Sequence, residues 1–366
     1  MDNIKLERLK EILSIPSFYG KEEKVREYIS EWATVRNIPF YIDDIGNIYL
    51  TKGLSSSYPC MVAHMDTVHT IQRNGIDIVE ETYQMSAYDR SSVCNGKQVL
   101  RGYIKGKEYT YNNRTGCGGD DKAGIFLALE IMDKFDVMKC AFFISEEIGC
   151  IGSSKADPNF FENVAYAIQH DSPENDTISW YCSGYLLFDE KWAKPGIVVD
   201  METGEEYFDG KIGDLLYKYG VRTFARHPYT DVSQLKKKFN FQCINLPAAY
   251  YQYHSSNECV LIEGIETAFE LSVAIIERLG NEKQPFEQQE QNYKYSGVST
   301  ASNKSEVLST IEMKKRVMKY FQEKYGMTDN EFIFLYDGLY SFIDNFEGER
   351  TITEIIEEYK ETAFYY

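Results

Sequence analysis

The sequence predicts an α/β fold: a mixed, largely parallel sheet sandwiched by helices, followed by a small helical C-terminal appendage. Three observations predict it. Short apolar runs, each readable as a buried strand, recur between residues 60 and 168. Segments of helical apolar spacing alternate with them, and that alternation implies a parallel sheet covered on both faces. From Gln284 the chain turns to Gln, Asn, Ser, Lys and Tyr before helical spacing resumes near Glu306.

The elements follow in order. Leu6, Leu9 and Leu13 share one helical face, and Val25, Tyr28, Ile29 and Trp32 share another, with Pro16 breaking the two helices apart. Asp43-Asp44-Ile45-Gly46-Asn47 is a turn between Pro39–Ile42 and Ile48–Leu50, which predicts a hairpin. A helix is expected from about Ala123 to Met132, and Thr230-Asp231-Val232 opens a lysine-rich one. Cys243–Leu246 reads as a strand and Ile262–Leu279 as a long helix. The expected organisation is a catalytic domain over residues 1–283, a polar linker over 284–305 and the appendage over 306–366.

The totals exclude several classes. At 366 residues the chain can bury a large core, and 43% hydrophobic residues with mixed charge describe a globular protein. Its net charge is −18, from 57 acids against 39 bases, so a nucleic-acid partner is not expected. No apolar run reaches the ~20 residues of a membrane span, so no membrane partner is expected either. Met1-Asp2-Asn3-Ile4-Lys5 has no signal-like pattern and reads as cytoplasmic or as a trimmed mature chain. The eight cysteines form no C-x-x-C pair, and reduced, buried thiols are expected.

The strand ends carry the functional signal. Cys60–Ala63 ends in His64-Met65-Asp66, Cys140–Ile144 in Glu146-Glu147, and Val164–Ile168 in His170-Asp171. Gly118-Gly119-Asp120-Asp121-Lys122 opens a helix between the first two. In doubly covered sheets ligands gather beyond the strand carboxyl ends, so these residues are expected in one crevice. A hydrolytic metal site needs neutral imidazoles, carboxylates and a bound water, and a two-metal site adds a bridging carboxylate. Two histidines and three acids supply that inventory. Consecutive residues leaving a strand point apart, so Glu146-Glu147 can supply a ligand and an unligated base.

Five ordered motifs carry a resemblance over about residues 1–280: His64-Met65-Asp66, Gly119–Gly124, Glu146–Gly149, Gln169–Asp171 and His254–Glu258. Together they resemble the co-catalytic zinc exopeptidases, the superfamily of peptidase T, aminoacylase and the glutamyl aminopeptidases. The opening Ser14-Ile15-Pro16-Ser17, with Glu22-Glu23 and Asp44–Asn47, is similar too. The resemblance implies the zinc-exopeptidase, phosphorylase/hydrolase-like fold and two Zn2+ ions, with Co2+ or Mn2+ as substitutes. It implies Asp120 as the bridge, His64 and Asp171 completing one metal, and Glu147 and His254 the other. Glu146 is implied as the base, and Asp66 as the group that sets the His64 tautomer. The implied activity is cleavage of a short peptide by an aminopeptidase-type exopeptidase. An N-acyl amino acid deacylase, or a non-catalytic binding protein on the same fold, are the alternatives.

One departure stands out. The peptidase T branch inserts a lid domain between the Asp171-type ligand and the last histidine, but here that interval is 83 residues. It also holds a helix and a strand, so the chain resembles a catalytic core without the usual lid. The 64–120 interval is expected to be loops or a β excursion through Ile78-Val79, Val99-Leu100 and Tyr103-Ile104. His69 and His170 neighbour the motifs without a motif role, and read as supporting positions or chance neighbours. His227 reads as a loop residue. Gly116-Cys117-Gly118-Gly119 lacks phosphate-loop spacing and is read as the turn that aims Asp120. Asp121 and Lys122 read as helix-start residues, and most of Tyr250, Tyr251 and Tyr253 as packing.

Overall fold

Two N-terminal helices, α1 (Asn3–Ser14) and α2 (Glu23–Val35), precede the hairpin of β1 (Phe40–Ile42) and β2 (Ile48–Lys52). Both helices bury most of the predicted stripes, Leu9 and Leu13 in one and Val25, Ile29 and Trp32 in the other, while Leu6 and Tyr28 are partly buried and Ile12 joins the first face. The computed structural model describes residues 1–69, 75–84, 93–182, 185–201, 203–227 and 229–286. The expected linker and appendage therefore lie outside the described residues, apart from residues 284–286.

The chain continues through β3 (Tyr58–His64), β4 (Ile76–Thr82), β5 (Gln98–Ile104), β6 (Arg114–Thr115), α3 (Gly119–Lys134) and β7 (Met138–Phe143). Then come α4 (Ile151–Ser154), α5 (Pro158–Phe161), β8 (Val164–Ser172), β9 (Thr177–Cys182), β10 (Tyr185–Leu186), β11 (Ile197–Val199) and β12 (Glu206–Phe208). The last elements are α6 (Gly213–Lys218), β13 (Thr223–His227), α7 (Asp231–Lys238), β14 (Cys243–Pro247), β15 (Tyr250–Tyr251), β16 (Cys259–Leu261) and α8 (Ile262–Leu279). Among the described residues, no helix is long and apolar enough to cross a membrane.

The main sheet runs β1-β2-β7-β3-β8-β14-β9-β10, with β13 beside β9. Its centre is parallel: β3 pairs in parallel with β7 and β8, and β14 with β8. Both margins are antiparallel, β2 against β7 and β14 against β9. The sheet is thus mixed and largely parallel at its core. These central strands are mostly apolar and buried, as strands covered on both faces must be, with Lys139 and the strand exits His64 and Gln169–Ser172 as the polar exceptions. Helix α3 is buried on every face from Gly119 to Met132, so it sits inside the molecule, and its buried Glu130 is paired with Lys5 and Arg8. Each large side chain sunk there, such as Phe126 or Leu129, contributes about 1.5–3 kcal/mol.

Register places the site. His64 lies opposite Phe143, and Val62 opposite Gln169, so the ends of β7, β3 and β8 stand side by side. Strand β8 does not stop at Ile168 but runs to Ser172, carrying His170 and Asp171 within it. Successive strand residues face opposite ways. His170 accordingly turns to α8, where Nε2 is 2.6 Å from Ser272 Oγ, while Gln169 and Asp171 turn to the start of α7.

A second sheet, β15-β16-β5-β4 with β6 beside β5, grows from the 64–120 interval. The expected β excursion is the antiparallel β4–β5 pair, with Ile76 opposite Ile104. The 171–254 interval goes into β9, β10, β13 and β14 of the main sheet, the β11–β12 ribbon, α6 and α7, and β15 of the second sheet. No separate lid is present among the described residues. His227, read as a loop residue, is the last residue of β13, because β9 offers it a parallel partner at Cys182.

Candidate metal centre

His64 enters as the last residue of β3. Its amide donates to Asp121 Oδ2 at 3.2 Å, and its Nδ1 lies 3.0 Å from the Asp66 carbonyl and 3.5 Å from Asp66 Oδ1. The ring is thereby fixed with Nε2 pointing inward. The Asp66 carboxylate is committed elsewhere: it accepts from Glu146 N at 2.9 Å and Glu147 N at 3.1 Å. Asp66 therefore touches His64 chiefly through its backbone, and with its side chain it holds the acid pair after β7.

Asp120 is aimed by the glycine run. Gly118 adopts φ +65°, which a side chain would resist. A Cβ on Gly119 would come within 2.7 Å of Val260 and 2.9 Å of Tyr250. Behind the turn, Lys122 is fully buried and donates to the carbonyls of Leu13 at 3.2 Å and Ile15 at 2.6 Å. Lys122 does begin the regular helix, but Asp121, expected to do so, has non-helical backbone angles (φ −114°, ψ 31°), and the side chains of both brace the site. Asp171 is held from three sides: its amide donates to Asn245 Oδ1 at 2.8 Å, while Gln169 Nε2 at 3.1 Å and Tyr250 OH at 3.3 Å donate to its carboxylate. His254, at φ +59°, sits in the turn after β15.

The five residues converge. His64 Nε2 lies 3.1 Å from Asp120 Oδ1 and 3.6 Å from Asp171 Oδ1. His254 Nε2 lies 3.3 Å from Asp120 Oδ2 and 3.0 Å from Glu147 Oε2. Two groups result, His64–Asp120–Asp171 and Asp120–Glu147–His254, each with one ligand atom per residue and those atoms within 4.8 Å of one another. Asp120 gives one oxygen to each.

The electrostatics fit divalent cations. Asp66, Asp120, Asp121, Glu146, Glu147, Asp171 and Asp231 crowd one buried region against two imidazoles. Burial, with neighbouring charges such as Asp120, pushes Glu147 up to about 7. Burial likewise takes Asp171 up to about 6 and drives Asp121 and Glu146 well above the usual carboxylate range. On His64, burial opposes charge, but the hydrogen bonds to Asp120, Asp171 and Asp66 prevail and raise its pKa well above an ordinary imidazole's. On Asp120, burial is likewise outweighed, here by hydrogen bonds from His254 and His64, which hold it low. Glu147 Oε1 is buried with no hydrogen-bond partner among the described residues. A dication beside each group would neutralise this crowding and occupy that oxygen.

Sequence reasoning assigned no role to several neighbours. Asp231, expected only to open α7, is fully buried with neither oxygen hydrogen-bonded among the described residues, and burial lifts it to about 7. An acid leading into Val232 was its only signal. Thr230 Oγ1 donates to Gln169 Oε1 at 2.6 Å and also approaches Asp171 Oδ2 at 3.4 Å. His170 stays neutral, its pKa lowered to about 4 by burial, between Pro247 O at 2.7 Å and Ser272. His227 Nδ1 is 2.7 Å from Ser179 Oγ.

Comparison with known proteins bears on fold first. The aminopeptidase PepT of Bacillus cereus ATCC 10987 superposes with a TM-score of 0.51 at 14% identity, over 75% of this chain and 98% of that one. A tripeptidase of Staphylococcus aureus gives 0.51 at 13% identity, over 74% and 96%. The chain therefore has the mixed α/β fold of these peptidases, the fold expected of a co-catalytic zinc exopeptidase. In sequence, it is 27% identical over 186 residues to the cytosol non-specific dipeptidase of Escherichia coli K12. That match spans 48% of this chain and about a third, 35%, of the dipeptidase. No protein-family model matches the chain.

Proposed function

We propose that this chain is a metal-dependent peptidase of the exopeptidase type, cleaving short peptides at a two-zinc centre. His64, Asp120 and Asp171 hold one ion, and Asp120, Glu147 and His254 the other, with Co2+ or Mn2+ able to substitute. The observation that carries the reading is Asp120, whose two oxygens face two separate ligand groups. The similar proteins support it, being an aminopeptidase, a tripeptidase and a dipeptidase by name. Residues 1–283 act as the catalytic domain of a cytoplasmic enzyme, joined through a polar linker to the 306–366 appendage.

When bound, the two cations would polarise the scissile carbonyl and lower the pKa of the attacking water. The chain's own residues do the rest. Glu146 takes the water's proton on its carboxylate and returns it to the leaving amine, so no net proton is consumed. Asp66, by holding the amides of Glu146 and Glu147 together, keeps base and ligand at a fixed separation. The Asp66 carbonyl keeps His64 Nδ1 occupied, which leaves Nε2 for the centre.

Glu146→Gln tests the mechanism. Assayed on dipeptides, tripeptides and N-acyl amino acids with zinc present, it should lose roughly 10²–10⁴-fold in kcat. Metal analysis should still find two ions bound. Undiminished turnover would remove Glu146 as the base. A wild type that hydrolysed only N-acyl amino acids would make the chain a deacylase.

A further inference from the structure

The mechanism above uses neither His69 nor Glu258, yet the two are linked to the backbone turn that carries Asp120. Glu258 has no exposed surface. Its Oε2 accepts from Gly118 N at 2.7 Å and its Oε1 accepts from Asp120 N at 3.2 Å. One buried carboxylate thus fastens both ends of the turn that delivers Asp120. The third contact is from His69, whose Nε2 lies 2.7 Å from Glu258 Oε2.

His69 reaches Glu258 only because residue 116 is glycine. A Cβ at Gly116 would lie 2.0 Å, 2.1 Å and 2.4 Å from three atoms of the imidazole. The ring fills the space a side chain would take, wedged between the start of the glycine run and the carboxylate that holds its end. It sits just inside the rim, with 11% of its side chain exposed. A histidine meeting a carboxylate by chance on the surface would show neither the void at Gly116 nor a fully buried partner.

We propose that His69 is a positioning residue for the metal centre. By donating from Nε2 to Glu258 it fixes that carboxylate, which fixes the amides of Gly118 and Asp120, and so sets how both Asp120 oxygens face their two ligand groups. The inference rests on the two-metal reading. Because Asp120 belongs to both groups, loss of His69 weakens both cation positions together. Partners that orient ligands in this indirect way typically govern 10–100-fold in metal affinity.

The experiment is metal binding, measured on the full chain apart from turnover. Wild type, His69→Leu, His69→Gln and His69→Asn are freed of metal and titrated with Zn2+ in competition with a chromogenic chelator. Co2+ absorption spectra are recorded in parallel, with thermal melting of each metal-free protein. Wild type should bind two equivalents. His69→Leu keeps bulk but has no donor, and should bind both ions 10–100-fold more weakly with an altered Co2+ spectrum. His69→Gln, long enough to present an amide N–H to Glu258, should recover most of the affinity, whereas the shorter His69→Asn should not. If His69→Leu melts too low to handle, the Gln and Asn pair carries the same contrast. Unchanged affinity in both Leu and Asn variants overturns the proposal, as does weakening confined to one of the two positions. A wild type that binds no second ion overturns the two-metal reading itself.

Discussion

The two ligand groups share Asp120 but are built differently. His64 and Asp171 lie within β3 and β8, central parallel strands of the main sheet, and the His64 side chain is 1% exposed. Glu147 and His254 stand on the turns after β7 and β15, and the His254 side chain is 29% exposed. The strand-borne acid Asp171 receives three hydrogen-bonding neighbours, whereas the loop-borne Glu147 keeps one buried oxygen without a partner among the described residues. One half is held by the sheet and its hydrogen bonds; on the proposed two-metal reading, the other would be completed by its ion. The strand-side position should therefore bind more tightly, and the loop-side position should be the one that admits substrate.

Removing the shared element should have the largest effect. Asp120→Ala should abolish both positions, so metal analysis finds neither ion and turnover falls by roughly 10³-fold or more, beyond the cost of losing a single stabilising donor. Two retained ions would dissolve the comparison, since nothing would then join the halves. His254→Ala acts on one half only. Stepwise dialysis of wild type against increasing chelator should release one equivalent well before the other, and this variant should lack the earlier step while keeping the later one. Equal release of both ions from wild type would break the proposed asymmetry.

The crowding of acids gives a pH test. Asp231 has a folded pKa of about 7, raised by burial above its unfolded value of about 3.9. The folded protein then binds that proton more tightly than the unfolded chain, so between pH 4 and pH 7 stability falls as pH rises. Asp231→Asn removes this loss. In urea unfolding of metal-free protein, the variant's advantage over wild type should be near zero at pH 4, grow towards pH 7 and level off above it. An advantage independent of pH would mean that Asp231 ionises freely in the fold. The smallest effect is expected one residue from a ligand. His170→Ala should cost about 1–3 kcal/mol in stability, from unpaired buried partners, with two ions still bound. A lost ion would place His170 in the centre after all.

Much of this was legible in the chain itself. Apolar runs interrupted by acids and histidines revealed the strands, and their order brought His64, Asp120, Glu147, Asp171 and His254 to one crevice. The hairpin at Asp43–Asn47 and the helix Ile262–Leu279 were legible for the same reason, because local periodicity and turn chemistry decide them. What could not be read were contacts between segments far apart in sequence. Glu258 is 138 residues from the amide of Asp120 that it holds, and His69 is 189 residues from Glu258. Nothing local marks His227 as a strand residue, since its partner at Cys182 is supplied by the fold. The Asp66 carboxylate likewise proved to serve Glu146 and Glu147, 80 and 81 residues on, more than the ring two residues before it.

The alternation along β8 has a further consequence. His170 and Asp171 are neighbours with opposite surroundings, one neutral beside α8 and one acidic beside the centre. A one-residue slip of this strand would exchange them, placing a carboxylate against Ser272 and a neutral imidazole among the acids. Either misplacement would bury a group without its partner, at a cost of several kcal/mol. The pair therefore acts as a checksum on strand alignment. Asn245 on the adjoining β14 ties down the backbone here, accepting from the amide of Asp171 and donating to its carbonyl. A chain that folds with the wrong alignment is penalised in its core as well as in its chemistry.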